Sequence, residues 1–228
     1  MKKRPQKIIV AKKSFGFALG FGDLIGLATE LQELRLAPPA VTTGKRTRTG
    51  DILGFVRGLR LSARLAYFLR DQISHTECEV SWGHLLDDNE ASCSSECDII
   101  IHKKGHHRRW NGNDRPIMDF RFVRAVYAKA VVSCKSMLTS VDAKYPKSLK
   151  KFGVKRVFLF AECCRDTHLP RLKKAARKAG YAGLCCLYVI TTRKPGFTRD
   201  EKMYRSFSNG VLKAAVEGEK LRKKTKRR

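Results

Sequence analysis

Two short stretches of sequence decide the fold: Glu-Cys-Asp-Ile-Ile-Ile at residues 96–101 and Ala-Val-Val-Ser-Cys-Lys at residues 130–135. Each reads as a strand in which charged side chains border an apolar run, and a charge there is costly unless a cation or a hydrogen bond satisfies it. Residues two apart share one face of a strand, so Asp98 faces the same way as Glu96, and Lys135 faces the same way as Ser133. If the two strands are neighbours, a carboxylate and an ammonium group meet in one pocket.

Hydrophobic periodicity places further elements around these two strands. It predicts helices over residues 52–73, 138–150, 167–179 and 198–222, and strands over 77–83, 96–102, 125–135, 154–161 and 184–191. A long polar loop is expected over 103–117. The order α-β-β-β-α-β-α-β-α combines a β-meander with βαβ connections, and it indicates an α/β fold with a mixed central sheet and helices on both faces.

The domain organisation follows from charge and turn residues. Residues 1–50 read as a basic N-terminal arm, a short helix and a linker; residues 51–197 read as the α/β domain; residues 198–228 read as a C-terminal helix with a basic tail. Both basic ends are expected to be phosphate-binding arms, the alternative being tails that only aid solubility.

The charge balance points to a polyanionic partner. The chain of 228 residues has 48 Lys and Arg against 21 Asp and Glu, a formal net charge of +27. Such a charge is rare in enzymes of small metabolites, and it favours phosphate backbones through counterion release. A solvated basic surface, a ribosome-associated or RNA-binding protein and a membrane-surface protein are the alternatives.

The absence of an apolar run of eighteen residues or of a secretory signal predicts no membrane span and a cytoplasmic location, nucleoid-associated if the source is bacterial. The eight cysteines are expected to be buried reduced thiols, because Cys93 and Cys97 lack the second ligand pair that a zinc site needs.

With Asp98 on the second strand and Ser133-Cys134-Lys135 on the third, residues 52–192 resemble the restriction-endonuclease-like superfamily of PD-(D/E)xK nucleases. Similarity is greatest to a branch with a Ser-Cys-Lys motif on the third strand. The resemblance implies a restriction-endonuclease-like core in which Asp98 binds Mg²⁺ or Mn²⁺ and Lys135 assists the attacking water. It also allows a homodimer or a larger nucleoprotein complex.

The sequence departs from the family pattern at the second acid, whose place is taken by Ser133, a poor magnesium ligand. The resemblance therefore leaves Glu96, which shares the face of Asp98, and Glu79, on the first strand, as replacement metal ligands. Two functions stay open: metal-dependent phosphodiester hydrolysis, with DNA favoured over RNA, and a catalytically inactive nuclease-like subunit that binds DNA or RNA within a larger complex.

The loop that begins at His102 combines basic side chains with one aromatic residue. Arg and Lys contact phosphates, and a Trp can stack on an unpaired base. The candidate nucleic-acid contacts are Lys103, Lys104, His107, Arg108, Arg109, Trp110 and Arg115. A solvated basic insertion is the alternative. The histidines of this loop lack metal-ligand spacing on a regular element, so the sequence does not favour a zinc site here.

Overall fold

The computed structural model describes residues 49–109, 120–191 and 196–217. The chain divides into two units, Met1–Leu53 and Gly54–Arg228. Apart from residues 49–53, the architecture described below is that of the second unit. Several predicted features lie outside the described residues: most of the arm and linker, the basic tail from Lys220, and the candidate contacts Trp110 and Arg115.

Four α-helices, eight strands and two short 3-10 helices, Ala125–Tyr127 and Asp166–His168, make up the described part of the chain. The helices are α1 (Thr49–Ile73), α2 (Lys144–Lys151), α3 (Leu169–Ala179) and α4 (Glu201–Val216). The strands are β1 (Cys78–Leu86), β2 (Cys97–Lys103), β3 (His107–Arg109), β4 (Phe120–Arg124), β5 (Ala128–Leu138), β6 (Val157–Arg165), β7 (Gly183–Thr191) and β8 (Gly196–Arg199). Among the described residues, no helix has both the length and the apolar character needed to cross a membrane.

All eight strands form one mixed sheet in the order β3-β4-β1-β2-β5-β6-β7-β8. Strand β2 pairs antiparallel with both β1 and β5, whereas β5, β6 and β7 are parallel to one another. The predicted α/β fold with a mixed sheet and flanking helices is confirmed. The section β1-β2-β5-β6, entered from a helix and closed by a parallel crossover through α2, has the element order expected of a restriction-endonuclease-like core.

Three strands were not expected from the sequence. Strand β3 occupies part of the stretch predicted as a loop, and it pairs with β4, which in turn lies parallel to β1. Strand β8 pairs with β7 at the sheet edge. These strands are three to five residues long, too short for an alternating pattern to stand out, and only pairing with distant residues defines them.

Two helices start later in the chain than the sequence predicts. The helix predicted to start at 198 begins at Glu201, because the Asp200 carboxylate caps it by accepting a hydrogen bond from the Met203 amide at 2.9 Å. The helix predicted to start at 138 begins at Lys144, whose amide donates to Asp142 Oδ1 at 2.8 Å.

The sheet separates two apolar layers. On the α2–α3 side, Leu149 and Leu172 belong to one buried cluster with Ile100 and Val131 of the central strands. On the α1–α4 side, the ring of Phe207 packs on Phe158 and Phe160. Burying each of these large side chains is worth about 1.5–3 kcal/mol, so α4 is packed into the same compact unit as the sheet.

Strands β1 and β4 approach each other closely at Gly83. This residue has a φ of +143°, and a Cβ built there would lie 1.9 Å from the carbonyl oxygen of Arg121. Only glycine fits this position, which coincides with an irregularity in the β1–β2 register.

Candidate functional site

The two stretches that border apolar runs do lie on neighbouring strands. In the antiparallel β2–β5 pair, Ile99 is opposite Val132 and Ile100 is opposite Val131. The next positions along the same register bring Asp98 opposite Ser133. The Cys134 amide donates a hydrogen bond to Asp98 Oδ2 at 2.8 Å. We call Asp98, Ser133 and Lys135 the Asp98 centre.

The Asp98 centre lies on the α2–α3 side of the sheet. Asp98 is two residues from Ile100, and Ser133 is two residues from Val131, so these side chains share the face of that buried cluster. Asp98 is half-buried, Ser133 is buried and Lys135 is exposed. The centre therefore lies on a buried apolar surface and has one cationic side chain that reaches solvent.

Burial is the largest influence on the Asp98 carboxyl, and it raises the pKa of that group. The Cys134 amide, the positive charge of Lys135 and a hydrogen bond from Ser133 act in the opposite direction, whereas the negative charge of Glu96 adds to the rise. A desolvated carboxylate that is held by specific partners is typical of functional sites, and also of structural ion pairs.

Tyr145, at the start of α2, borders the centre, and sequence reasoning missed it. Its hydroxyl donates to the Glu96 carbonyl oxygen at 3.5 Å. Burial raises the pKa of this phenol, with further contributions from Cys97 and Asp98. The helix start lies far from β2 in sequence, so no local signal could have placed this ring beside Asp98.

The two replacement acids have different positions. Glu96 is exposed, and its Oε1 accepts a hydrogen bond from Trp82 Nε1 at 2.6 Å. Glu79 is paired in register with His102, four residues along β2 from Asp98. At the usual rise per strand residue that separation is about 13 Å. The structure therefore does not bring Glu79 to the Asp98 centre.

The donors of the Asp98 centre fit a largely hydrated Mg²⁺ ion. Magnesium commonly takes one or two protein carboxylates and keeps water or substrate phosphate at its other positions. Asp98 supplies one carboxylate here, and Glu96 adds negative charge nearby. Ser133 contributes only a neutral oxygen, so the donor set is weaker than the family pattern with two strand acids.

The candidate contact loop is partly ordered into the sheet. Lys103 ends β2, and the exposed Lys104 reaches the Ser74 carbonyl oxygen at 3.5 Å. His107 Nδ1 lies 2.9 Å from Glu79 Oε1. Through their backbones, Arg108 and Arg109 pair with β4. Of the predicted contacts in the described residues, Lys104 is thus an exposed cation, whereas His107 is engaged within the protein.

Helices α2 and α3 carry a dense group of exposed cations on the Asp98 side of the sheet. Neither helix contains an acidic residue. We call the two helices the basic helix pair; its exposed cations are Lys144, Lys147, Lys150, Lys151, Arg171, Lys173, Lys174, Arg177 and Lys178.

No protein-family model and no curated protein matches the chain. Among solved structures, NucC of P. aeruginosa ATCC27853 in its cAAA-bound form is 12% identical, with a TM-score of 0.46 over 87% of this chain and 92% of that chain. NucC of E. coli MS115-1 in its cAAA-bound form is also 12% identical, with a TM-score of 0.45 over 87% and 91%.

Proposed function

We propose that the protein binds the phosphate backbone of a nucleic acid and hydrolyses its phosphodiester bonds in a metal-dependent reaction at the Asp98 centre, with DNA as the favoured substrate. One observation carries this proposal: the Asp98 carboxylate and the neighbouring Ser133-Cys134-Lys135 segment meet across two paired strands, with the Cys134 amide fixing Asp98 Oδ2. This is the arrangement that the resemblance to PD-(D/E)xK nucleases predicts.

Backbone binding is supported by the location of charge. The chain has a formal net charge of +27, and the basic helix pair concentrates exposed cations on the side of the sheet that holds Asp98. Cations on one face attract a polyanion and release its counterions when phosphates are neutralised. A strand docked there lies on the same side as the candidate centre.

The roles of the chain's own groups follow from their chemistry. Asp98, with Glu96 nearby, would hold the divalent ion, which when bound polarises a phosphate and lowers the pKa of a water. The Cys134 amide keeps the Asp98 carboxylate in one orientation. The exposed Lys135 ammonium can orient a water or stabilise negative charge that develops on phosphoryl oxygens.

An inactive nucleic-acid-binding subunit is the second candidate, and Ser133 favours it. A neutral hydroxyl stands where the family has an acid, and Asp98 already has an amide donor and a neighbouring ammonium charge to balance it. A carboxylate balanced in this way needs no metal. Under this alternative the basic helix pair keeps its role, whereas the Asp98 centre is only structural.

Cleavage and binding should be measured separately on the full chain. End-labelled DNA and RNA are incubated with Mg²⁺ or Mn²⁺ and the wild-type, Asp98→Asn, Lys135→Met or Lys202→Met protein. Lys202 is an exposed lysine of α4 and serves as the matched control. We expect cleavage by the wild-type and Lys202→Met proteins, and a loss of roughly 100-fold or more for the other two.

Three results decide between the candidates. Equal cleavage by Asp98→Asn and wild type would refute a reaction at this centre. No cleavage by any form, together with salt-dependent binding in a filter assay, would support the inactive subunit. Binding that does not weaken between low and physiological salt would contradict both candidates, because both rest on phosphate contacts.

A further inference from the structure

A cluster of three potential metal ligands lies away from the Asp98 centre. Glu79 of β1, His102 of β2 and His107 of β3 each offer a ligand atom, and these atoms all lie within 4.8 Å of one another. Glu79 Oε1 is 2.9 Å from His107 Nδ1 and 3.7 Å from His102 Nδ1. The three residues come from separate strands, so the fold alone assembles them.

The spacing suits a tetrahedral ion. Donors at about 2.0–2.1 Å from such an ion lie about 3.3 Å from one another. The separations from Glu79 Oε1, 2.9 Å and 3.7 Å, lie on either side of that value. The ligand atoms of His102 and His107 lie within 4.8 Å of each other, so side-chain shifts of up to about 1.5 Å would place all three donors around one ion, without a change of strand register.

The donor types select the class of ion. Two imidazole nitrogens and one carboxylate suit a divalent first-row transition metal such as Zn²⁺, whereas Mg²⁺ and Ca²⁺ prefer oxygen donors. Three protein ligands leave a fourth tetrahedral position for water or an anion. The His102 side chain is fully buried, but that of Glu79 is 34% exposed. Glu79 therefore gives the ion a path from solvent.

The groups around His102 can hold it as a ligand. Ser81 Oγ lies 3.0 Å from His102 Nε2. When Nδ1 binds an ion, Nε2 carries the hydrogen, and the Ser81 oxygen can accept it; an outer partner of this kind orients many metal-binding histidines. Without an ion, Nδ1 can instead donate to the Lys103 carbonyl oxygen at 3.0 Å. The serine hydroxyl can donate or accept, so it suits both forms.

The charges around the cluster set limits on its affinity. Glu79 brings one negative charge, and its Oε1 also accepts a hydrogen bond from the Gly105 amide at 2.9 Å. The Arg121 side chain of β4 is close enough to act on His102, and its positive charge opposes a cation. A purely hydrogen-bonded cluster that fixes the turn after β2 is the alternative that the experiment must separate.

We propose that Glu79, His102 and His107 form a binding site for a divalent transition metal ion of the Zn²⁺ class, which joins β1, β2 and β3 and is independent of the Asp98 centre. The ion ties the β2–β3 turn to the sheet. The two sites are about 13 Å apart along β2 at the usual strand rise, so one ion cannot serve both.

The test is Zn²⁺ titration of the full chain after chelator treatment, with affinity measured by competition against a chromophoric chelator. The variants are His107→Ala, Glu79→Gln and, for the outer partner, Ser81→Ala. His106→Ala is the matched control, because His106 stacks on Tyr127 and is not one of the three ligands. Cys93→Ser tests the exposed thiol as a competing ligand.

We expect one Zn²⁺ per chain, an affinity at least about tenfold weaker in His107→Ala, Glu79→Gln and Ser81→Ala, and no change in His106→Ala. X-ray absorption of the zinc-loaded protein should show nitrogen and oxygen neighbours without sulfur. No Zn²⁺ binding, equal binding by His107→Ala and wild type, or a loss confined to Cys93→Ser would each overturn the proposal. None of these readouts depends on nuclease activity, so the proposed function can fail independently.

Discussion

If the basic helix pair contacts phosphates, removing its charges should change the salt dependence of DNA binding. The perturbation is the triple variant Lys147→Gln, Lys174→Gln and Lys178→Gln, which removes three of its exposed cations. The matched control is Lys202→Gln, Arg205→Gln and Lys213→Gln on α4, whose residues are also exposed. Both variants lose three positive charges, but they lose them on opposite sides of the sheet.

The expected magnitude follows from counterion release. Each phosphate contact on duplex DNA contributes about 0.9 to the slope of log affinity against log salt, so three lost contacts lower the slope by about 2.7. Between 50 and 200 mM salt, a fourfold change, the wild-type protein would then lose about 40-fold more affinity than the variant. For each of the three lysines that makes no phosphate contact in the wild-type protein, the expected difference is about 3.5-fold smaller.

The assay is fluorescence anisotropy with a short labelled duplex at several salt concentrations, for the wild-type protein and both triple variants. The α4 variant should bind somewhat more weakly, because the net charge falls, but its slope should stay near that of the wild type. Equal slopes in the two triple variants would refute the assignment of phosphate contacts to α2 and α3. A larger change of slope in the α4 variant would indicate that DNA binds on the other side of the sheet.

Two further predictions test the fold. Gly83→Ala should lower the free energy of unfolding by about 3 kcal/mol or more in denaturant titrations, because a Cβ would lie 1.9 Å from the Arg121 oxygen. The control is Gly58→Ala, where nothing lies within 4 Å of the added Cβ, and this substitution should be neutral or stabilising. Equal effects of the two substitutions would contradict the β1–β4 packing. Burial raises the pKa of the Cys97 thiol to about 11, so at pH 8 iodoacetamide should modify the exposed Cys93 well before Cys97 in the native protein, as read by mass spectrometry. Modification of Cys93 and Cys97 at the same rate would show that Cys97 is not buried in the core.

The sequence predicted the centre of the sheet because its strands are buried and apolar. The Ile run after Asp98 and the Val pair before Ser133 could only be satisfied in the interior. Parity then placed the charged residue of each strand on a definite face, and predicted that they meet if the two strands are neighbours. That β2 and β5 are neighbours, and that their register places Asp98 opposite Ser133, came only from the structure.

The histidine cluster could not be predicted, because it depends on strand pairing and not on spacing. The sequence predicts His102 at the end of a strand where the loop begins, His107 within that loop, and Glu79 as one of two possible replacement metal ligands beside Asp98. The register of β1 on β2 instead places Glu79 opposite His102. The short strand β3, which pairs with β4, then presents His107 to the same carboxylate. A three-residue strand leaves no pattern from which this could be read.

Ser133 offers the most direct test of what the Asp98 centre lacks. It lies opposite Asp98 and is 5% exposed, so Ser133→Asp would place a second carboxylate in a desolvated position beside the first. Without a cation the two charges repel, and the free energy of unfolding should fall by about 1–3 kcal/mol. Ser133→Asn is the control, since it has similar size and adds no charge.

Mg²⁺ should then restore the free energy of unfolding of Ser133→Asp, and it should not raise that of Ser133→Asn. A second hard oxygen ligand strengthens the site, and a tenfold tighter dissociation constant adds about 1.4 kcal/mol of stability at saturating metal. Thermal unfolding with and without millimolar Mg²⁺ measures the difference, and calcium, which also binds carboxylates, serves as the comparison ion. If Mg²⁺ stabilises Ser133→Asp no more than Ser133→Asn, the residue opposite Asp98 is not a metal-ligand position. Electrostatic attraction between the Asp98 carboxylate and the nearby Lys135 charge would then be the better account of why these residues lie together.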